Sequence, residues 1–115
     1  MSKRDWRLFL VDMLECVEKI ERYLAGVSKE EFLSDEKLQD AVVRNLEIIG
    51  EAASQISTDI RDKYPEIPWK QIVSMRHRLI HGYFVVDYEI VWQIVKEELS
   101  DLKARLNKIS AIEGF

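Results

Sequence analysis

Apolar residues recur every three or four positions along most of this chain, and no segment alternates apolar with polar residues. That spacing is the strongest constraint on the fold, because a stripe of period 3.6 buries one face of a helix whereas a strand needs period two. The first stripe is Trp6, Phe9, Leu10, Met13, Val17, Ile20 and Leu24, with Gly26 as its stop. Ser28-Lys29-Glu30-Glu31 then has the spacing of a capping box, opening a short turn through Phe32. A second long helix follows, with Leu38, Ala41, Val42, Ile48, Ile49, Ala52, Ala53 and Ile56 on its inner side. Residues 58–67 form a connector with a helical turn, and PEIP ends it. Pro68 fits as the first residue of a third helix, where its missing N–H costs nothing. That helix is expected to run to about His81, with Gly82 as a left-handed terminator. Asp87 is the expected N-cap of the last helix, in which Tyr88, Val91, Trp92, Val95, Leu99, Leu102, Leu106 and Ile109 make an unbroken stripe. Short connections favour antiparallel neighbours. The reading is all-α: one domain over residues 1–115, an antiparallel bundle of four main helices with a short additional turn.

Size and charge narrow the function. A chain of 115 residues supports a single core. No apolar run approaches the roughly 18 residues of a membrane helix. The opening MSKRDWRLFLVDMLE turns acidic and amphipathic after a few basic residues, so the expectation is a cytoplasmic protein with no membrane partner. The single cysteine, Cys16, excludes an intrachain disulfide and any multi-cysteine metal site, and reads as a small core hydrophobe. A net charge of −4 weighs against broad nucleic-acid binding. A local cluster of Lys70, Arg76, His77, Arg78 and His81 could still hold a phosphate.

Polar residues interrupt two of the stripes. Wound at about 100° per residue, the third helix gathers Trp69, Ile72, Val73, Leu79 and Ile80 in one apolar arc with Arg76 near its middle. Either the guanidinium snorkels to solvent over a packed stem, or it serves a site or an interface. On the second helix Asn45 lies within the apolar arc, Arg44 and Glu51 sit two turns apart, and Gly50 costs roughly 1 kcal/mol against alanine. Asn45 is either a buried tie between helices or, with Glu51, a group that orients Arg76 across a shared cleft. Gly50 suggests a close approach of another element. His81 is open to a plain reading too, as a cap for the last carbonyls of its helix. His77 and His81 are one turn apart, but no HExxH glutamate and no cysteine pair accompany them, which argues against a metal centre. Tyr83 and Phe84 would ordinarily be core staples.

Arg76, His81 and Tyr83 spell R-x4-H-x-Y. With AVVRNLEIIGEAA, IPWKQIVSMRHRLIHGYF and VDYEIVWQIV, this pattern resembles the HepT toxins, minimal members of the HEPN superfamily of helical ribonucleases. The likeness spans nearly the whole chain and is most specific over residues 41–95. The superfamily commonly places asparagine after the arginine; His77 stands there, so its role is open. The resemblance implies a HEPN-like helical fold and a homodimer in which two R-x4-H segments meet across a cleft and cut RNA, transfer RNA among the candidates, without a metal or other cofactor. It implies Arg76 and His81 as catalytic residues, with His77, Asn45, Glu51 and Arg44 in support. It also implies an antitoxin partner, a minimal nucleotidyltransferase of the MntA type that silences the toxin by adding AMP units to the motif tyrosine, here Tyr83.

The residue chemistry is compatible with that expectation. Metal-free RNA cleavage needs a base for the 2′-hydroxyl, an acid for the leaving oxygen and positive charge at the phosphorane. Histidine, with a reference pKa of about 6.5, can supply either proton transfer. A twofold dimer brings a second copy of His81 to the same cleft, and the Arg76 fork suits phosphate. Positions 76 and 81 are about 140° apart on a regular helix. Hence either the helix ends before His81, or the two groups act from opposite subunits. The rival expectation is a non-catalytic helical module that binds a nucleotidyltransferase partner or a nucleotide.

Overall fold

A computed structural model of the chain describes residues 4–115 apart from Gly82 and Phe84. Among the described residues the regular structure is helical save for one tiny hairpin, and the four expected helical segments are present. Helix α1 spans Trp6–Leu24, capped by the Asp5 carboxylate, which accepts from the Arg7 N–H. It buries Leu10, Met13, Cys16, Val17, Ile20 and Leu24 and ends before Gly26, whose φ of 74° is left-handed. The capping box forms as expected at α2, Lys29–Leu33: the Ser28 hydroxyl accepts from the Glu31 N–H at 3.1 Å, and the Glu31 carboxylate accepts from the Ser28 N–H at 3.1 Å. α2 drives Phe32 fully inside, against the rings of Tyr88 and Trp92. Burial of such a side chain stabilises by about 1.5–3 kcal/mol. Helix α3, Glu36–Ser54, packs along α1 and buries Val42, Leu46, Ile49 and Ala53. The connector holds α4, Thr58–Lys63, capped by Ser57.

The third segment departs from expectation in three ways. Pro68 is the N-cap rather than the first helical residue of α5, Trp69–Val73. The Trp69 indole N–H donates to the Tyr64 carbonyl at 2.9 Å, which fixes where this helix begins. The helix then breaks at Ser74 and resumes as α6, Met75–Leu79. Ser74 hydrogen-bonds back to the Gln71 carbonyl at 3.0 Å, a local bond that competes with the helical ladder. Finally, α6 stops at Leu79, two residues short of His81. Ile80 turns extended, and β1 (Ile80–His81) pairs antiparallel with β2 (Val85–Val86). Gly82, expected as the terminator, lies outside the described residues, as does Phe84.

Asp87 caps the next helix as expected, accepting from the N–H groups of Glu89 and Ile90. The long final stripe, however, is two helices: α7, Tyr88–Glu97, and α8, Leu99–Glu113, parted at Glu98. Both halves keep their apolar face inward, through Val91 and Ile94 and then Leu99, Leu102, Leu106 and Ile109. No helix among the described residues is long and apolar enough to cross a membrane.

Candidate functional site

Gly50 is the contact on which the site is built. A Cβ there would lie 2.9 Å from the Ile72 carbonyl oxygen and 3.0 Å from the Met75 Cβ, so α3 and the α5–α6 break touch almost backbone to backbone. The close approach suggested by a mid-helix glycine is present. Beside it opens a cleft of about 220 Å³ lined by Glu47, Gly50, Glu51, Ser54, Val73 and Arg76. The break at Ser74 separates inside from outside on this segment. Ile72, Met75 and Leu79 are buried, whereas Arg76 and His77 are exposed and Val73 is partly so. Arg76 is therefore at the surface and not in the core arc that regular winding gave it.

Arg76 and Glu51 share the cleft as expected, yet no ion pair joins them; among the described residues none involves Arg76, Arg44, His77 or His81. Asn45 is buried and its amide donates to the Ala41 carbonyl of its own helix at 2.8 Å, so the expected tie between helices is an intrahelical bond instead. Neither Asn45 nor Arg44 lines the cleft; Arg44 is exposed. Glu47 does line it and was missed. Its signal was available, since Glu47, Glu51 and Ser54 recur at helical spacing along one face of α3.

His81 stands opposite Val85 in the hairpin, is exposed, and is not among the residues lining the Arg76 cleft. Among the described residues its side chain bonds no helical carbonyl, and because it has left the helix the helical angle between positions 76 and 81 no longer applies. Tyr83 is 87% exposed, which removes its reading as a core staple. The cationic cluster is also smaller than its sequence suggests. Arg78 makes a two-pronged bond to Glu98, Nη1 to Oε1 at 3.0 Å and Nη2 to Oε2, leaving Arg76 as the unpaired guanidinium of this segment. Among the described residues no three of His, Cys, Asp and Glu gather closely enough to hold a metal ion. Cys16 is buried, and burial pushes its thiol above the ordinary range, away from nucleophilic use.

Residues 13–109 match the family model described as ribonuclease HepT-like. A candidate RNase of Methanocaldococcus jannaschii is 46% identical over 115 residues, covering 99% of this chain and 95% of that protein. A protein of Thermococcus cleftensis named probable ribonuclease HepT is 44% identical over 107 residues, covering 93% of this chain and 97% of its own. A candidate RNase of Caldanaerobacter subterraneus is 43% identical over 95 residues, 83% of this chain and 84% of that one. No solved structure gives a significant match.

Proposed function

This chain belongs to the HepT-like ribonuclease family, and from that premise we propose that two copies form a composite site that cuts RNA without a metal. The observation that carries the reading is Arg76: an exposed guanidinium on a cleft wall, paired with no carboxylate among the described residues. Its neighbour Arg78 is already paired with Glu98, so this segment offers the Arg76 fork to a phosphodiester. Guanidinium suits that role because it stays charged and presents paired donors to phosphate oxygens.

His81 is not among the described residues that line the Arg76 cleft. A second copy supplies what is missing. One His81 imidazole takes the 2′-hydroxyl proton as that oxygen attacks phosphorus; the other, protonated, gives its proton to the departing 5′-oxygen. Arg76 holds the negative charge of the phosphorane between them. Apolar side chains support pairing at both halves of the site: Val85 opposite His81 is 67% exposed, and Val73 beside Arg76 is 36% exposed. His77 points to the same exposed side of α6 without an assigned step.

The same reading makes the protein a cytoplasmic toxin whose antitoxin is an MntA-type nucleotidyltransferase. Tyr83, nearly fully exposed two residues past His81, suits modification by an enzyme: its phenol oxygen attacks the α-phosphorus of ATP, AMP is attached and pyrophosphate leaves. The added phosphate and bulk then occupy the lip of the site.

The test is subunit mixing. Arg76→Ala and His81→Ala homodimers are each expected to leave RNA intact, with EDTA present throughout, and a co-refolded heterodimer of wild-type and His81→Ala subunits, which keeps one imidazole where the composite site needs two, is expected to be as inactive as His81→Ala itself. A heterodimer that keeps about half of the wild-type rate argues for independent sites. Cleavage abolished by EDTA removes the metal-free chemistry, and partner binding without any cleavage selects a non-catalytic module.

A further inference from the structure

We propose that Arg78 and Glu98 form a positioning clamp for the reaction: the pair fixes α6 and its hairpin so that Arg76 and His81 face the RNA. The inference rests on the ribonuclease reading above and adds residues that touch neither substrate nor reacting atoms. Three observations carry it.

The first is geometric. Arg78 lies two residues after Arg76 and three before His81, so fixing its side chain constrains both. It grips Glu98 with both Nη atoms, a fork-to-carboxylate contact that sets orientation as well as distance. The side chains are 27% and 36% exposed, so the pair is partly shielded from solvent.

The second is where the last helix breaks. Glu98 is the junction of α7 and α8, with φ −115° and ψ −31°, and its N–H closes α7 on the Ile94 carbonyl at 2.9 Å. Its carboxylate does not cap the helix it precedes. It is committed instead to Arg78. The departure from a regular helix thus coincides with a residue whose side chain is bonded to the site-bearing segment.

The third is the weakness of α6 on its own. Five residues make little more than one turn, which is unstable in isolation. At its C-terminal end the Asp87 N–H donates to the Leu79 carbonyl at 2.9 Å, tying α6 to the start of α7. Arg78–Glu98 ties it to the end of α7. Together they hold α6 and the hairpin from both ends of one helix.

Removal of the clamp should therefore reduce turnover more than RNA binding. A misplacement near 1 Å can cost on the order of 10²-fold in rate, so Arg78→Met is expected to lower kcat by roughly 10²-fold with KM within about twofold. Arg78→Lys keeps the charge but loses the fork and should fall between. The exchanged pair, Arg78→Glu with Glu98→Arg, should recover at least about tenfold over either single change. An effect on KM alone, full kcat in Arg78→Met, or no recovery in the exchanged pair overturns the proposal. Amide hydrogen exchange separates this from failure of the ribonuclease reading. If the wild-type dimer cuts no RNA, that reading fails, and the clamp is judged by exchange alone. Arg78→Met should speed exchange at His81 and Asp87 while α1 and α3 amides stay as in wild type; unchanged exchange at those two amides, or faster exchange everywhere, rejects it.

Discussion

Gly50→Ala sets two opposing effects against each other at the wall of the site. Alanine is the better helix former by about 1 kcal/mol, and at an exposed position the change would stabilise the protein. Here the added methyl meets the Ile72 carbonyl oxygen at 2.9 Å and the Met75 Cβ at 3.0 Å. One obstacle is backbone and the other is a main-chain-proximal carbon, so neither can swing aside as a side-chain tip would. Relief requires α5–α6 to move away from α3 by roughly half an ångström, and overpacking of this kind costs about 1–3 kcal/mol. The sum is a destabilisation between about 0 and 2 kcal/mol. Activity should suffer more than stability, because the helix that moves carries Arg76. With about 10²-fold lost per ångström of misplacement, half an ångström implies roughly a tenfold fall in kcat. Urea unfolding gives the first quantity and steady-state cleavage of a short RNA the second. A variant stabilised by about 1 kcal/mol and fully active would mean that the two helices do not meet at Gly50, and the account of the cleft would go with it.

Three further outcomes are expected. Tyr83→Phe should fold and cut RNA as the wild type does but resist silencing by the proposed nucleotidyltransferase; normal silencing of this variant removes Tyr83 as the proposed AMP acceptor. Asn45→Ala should cost about 1 kcal/mol through the bond to the Ala41 carbonyl, with RNA cleavage unchanged, since that bond lies within α3 and Asn45 does not line the cleft. The Glu113 carboxyl is held below its ordinary range by the hydrogen bond from the Tyr64 hydroxyl and then by Lys63. A depressed carboxyl contributes stability that is present above its unfolded pKa and lost as pH falls through the folded one. The Tm gap between wild type and Glu113→Gln should therefore be open at pH 7 and close below about pH 4; a gap that widens in acid contradicts this sign.

What the sequence made legible follows from the range of the forces involved. The stripe of α1, the Ser28–Glu31 box, the Asp87 cap and the stop before Gly26 each depend on residues within one or two turns, and each formed as read; the α3 stripe formed too, but without Ile56, which lies past the helix end at Ser54, and with Leu46 buried where the reading had left it out. Arg76 and Glu51 in one cleft were also legible, because an arginine amid apolar residues and a glutamate across from it ask for a shared polar space. The breaks were not. Leu79-Ile80 continues a helical stripe beyond the point where α6 ends, and two-residue strands are too short to register as alternation. Glu98 lies in a segment with no glycine or proline, and what accompanies its break is an arginine twenty positions earlier. Ser74 leaves its helix for a bond to Gln71 that serine can make in many helices without breaking them.

The elements that local sequence encodes worst are those to which the proposed chemistry is assigned, and this has a physical basis. A catalytic guanidinium and imidazole must stay exposed, so the segment that bears them cannot order itself by burial along its whole length. α5 and α6 bury Trp69, Ile72, Met75 and Leu79 and leave Val73, Arg76 and His77 outside. Their order is borrowed from α3 through Gly50, from the start of α7 through Asp87 and from its end through Glu98. Substitutions at these three supports should thus disturb cleavage at lower cost in global stability than substitutions in the α1–α3 core, where Leu10, Val17, Leu46 and Ile49 are fully buried and a truncation to alanine costs about 2–5 kcal/mol for the larger side chains.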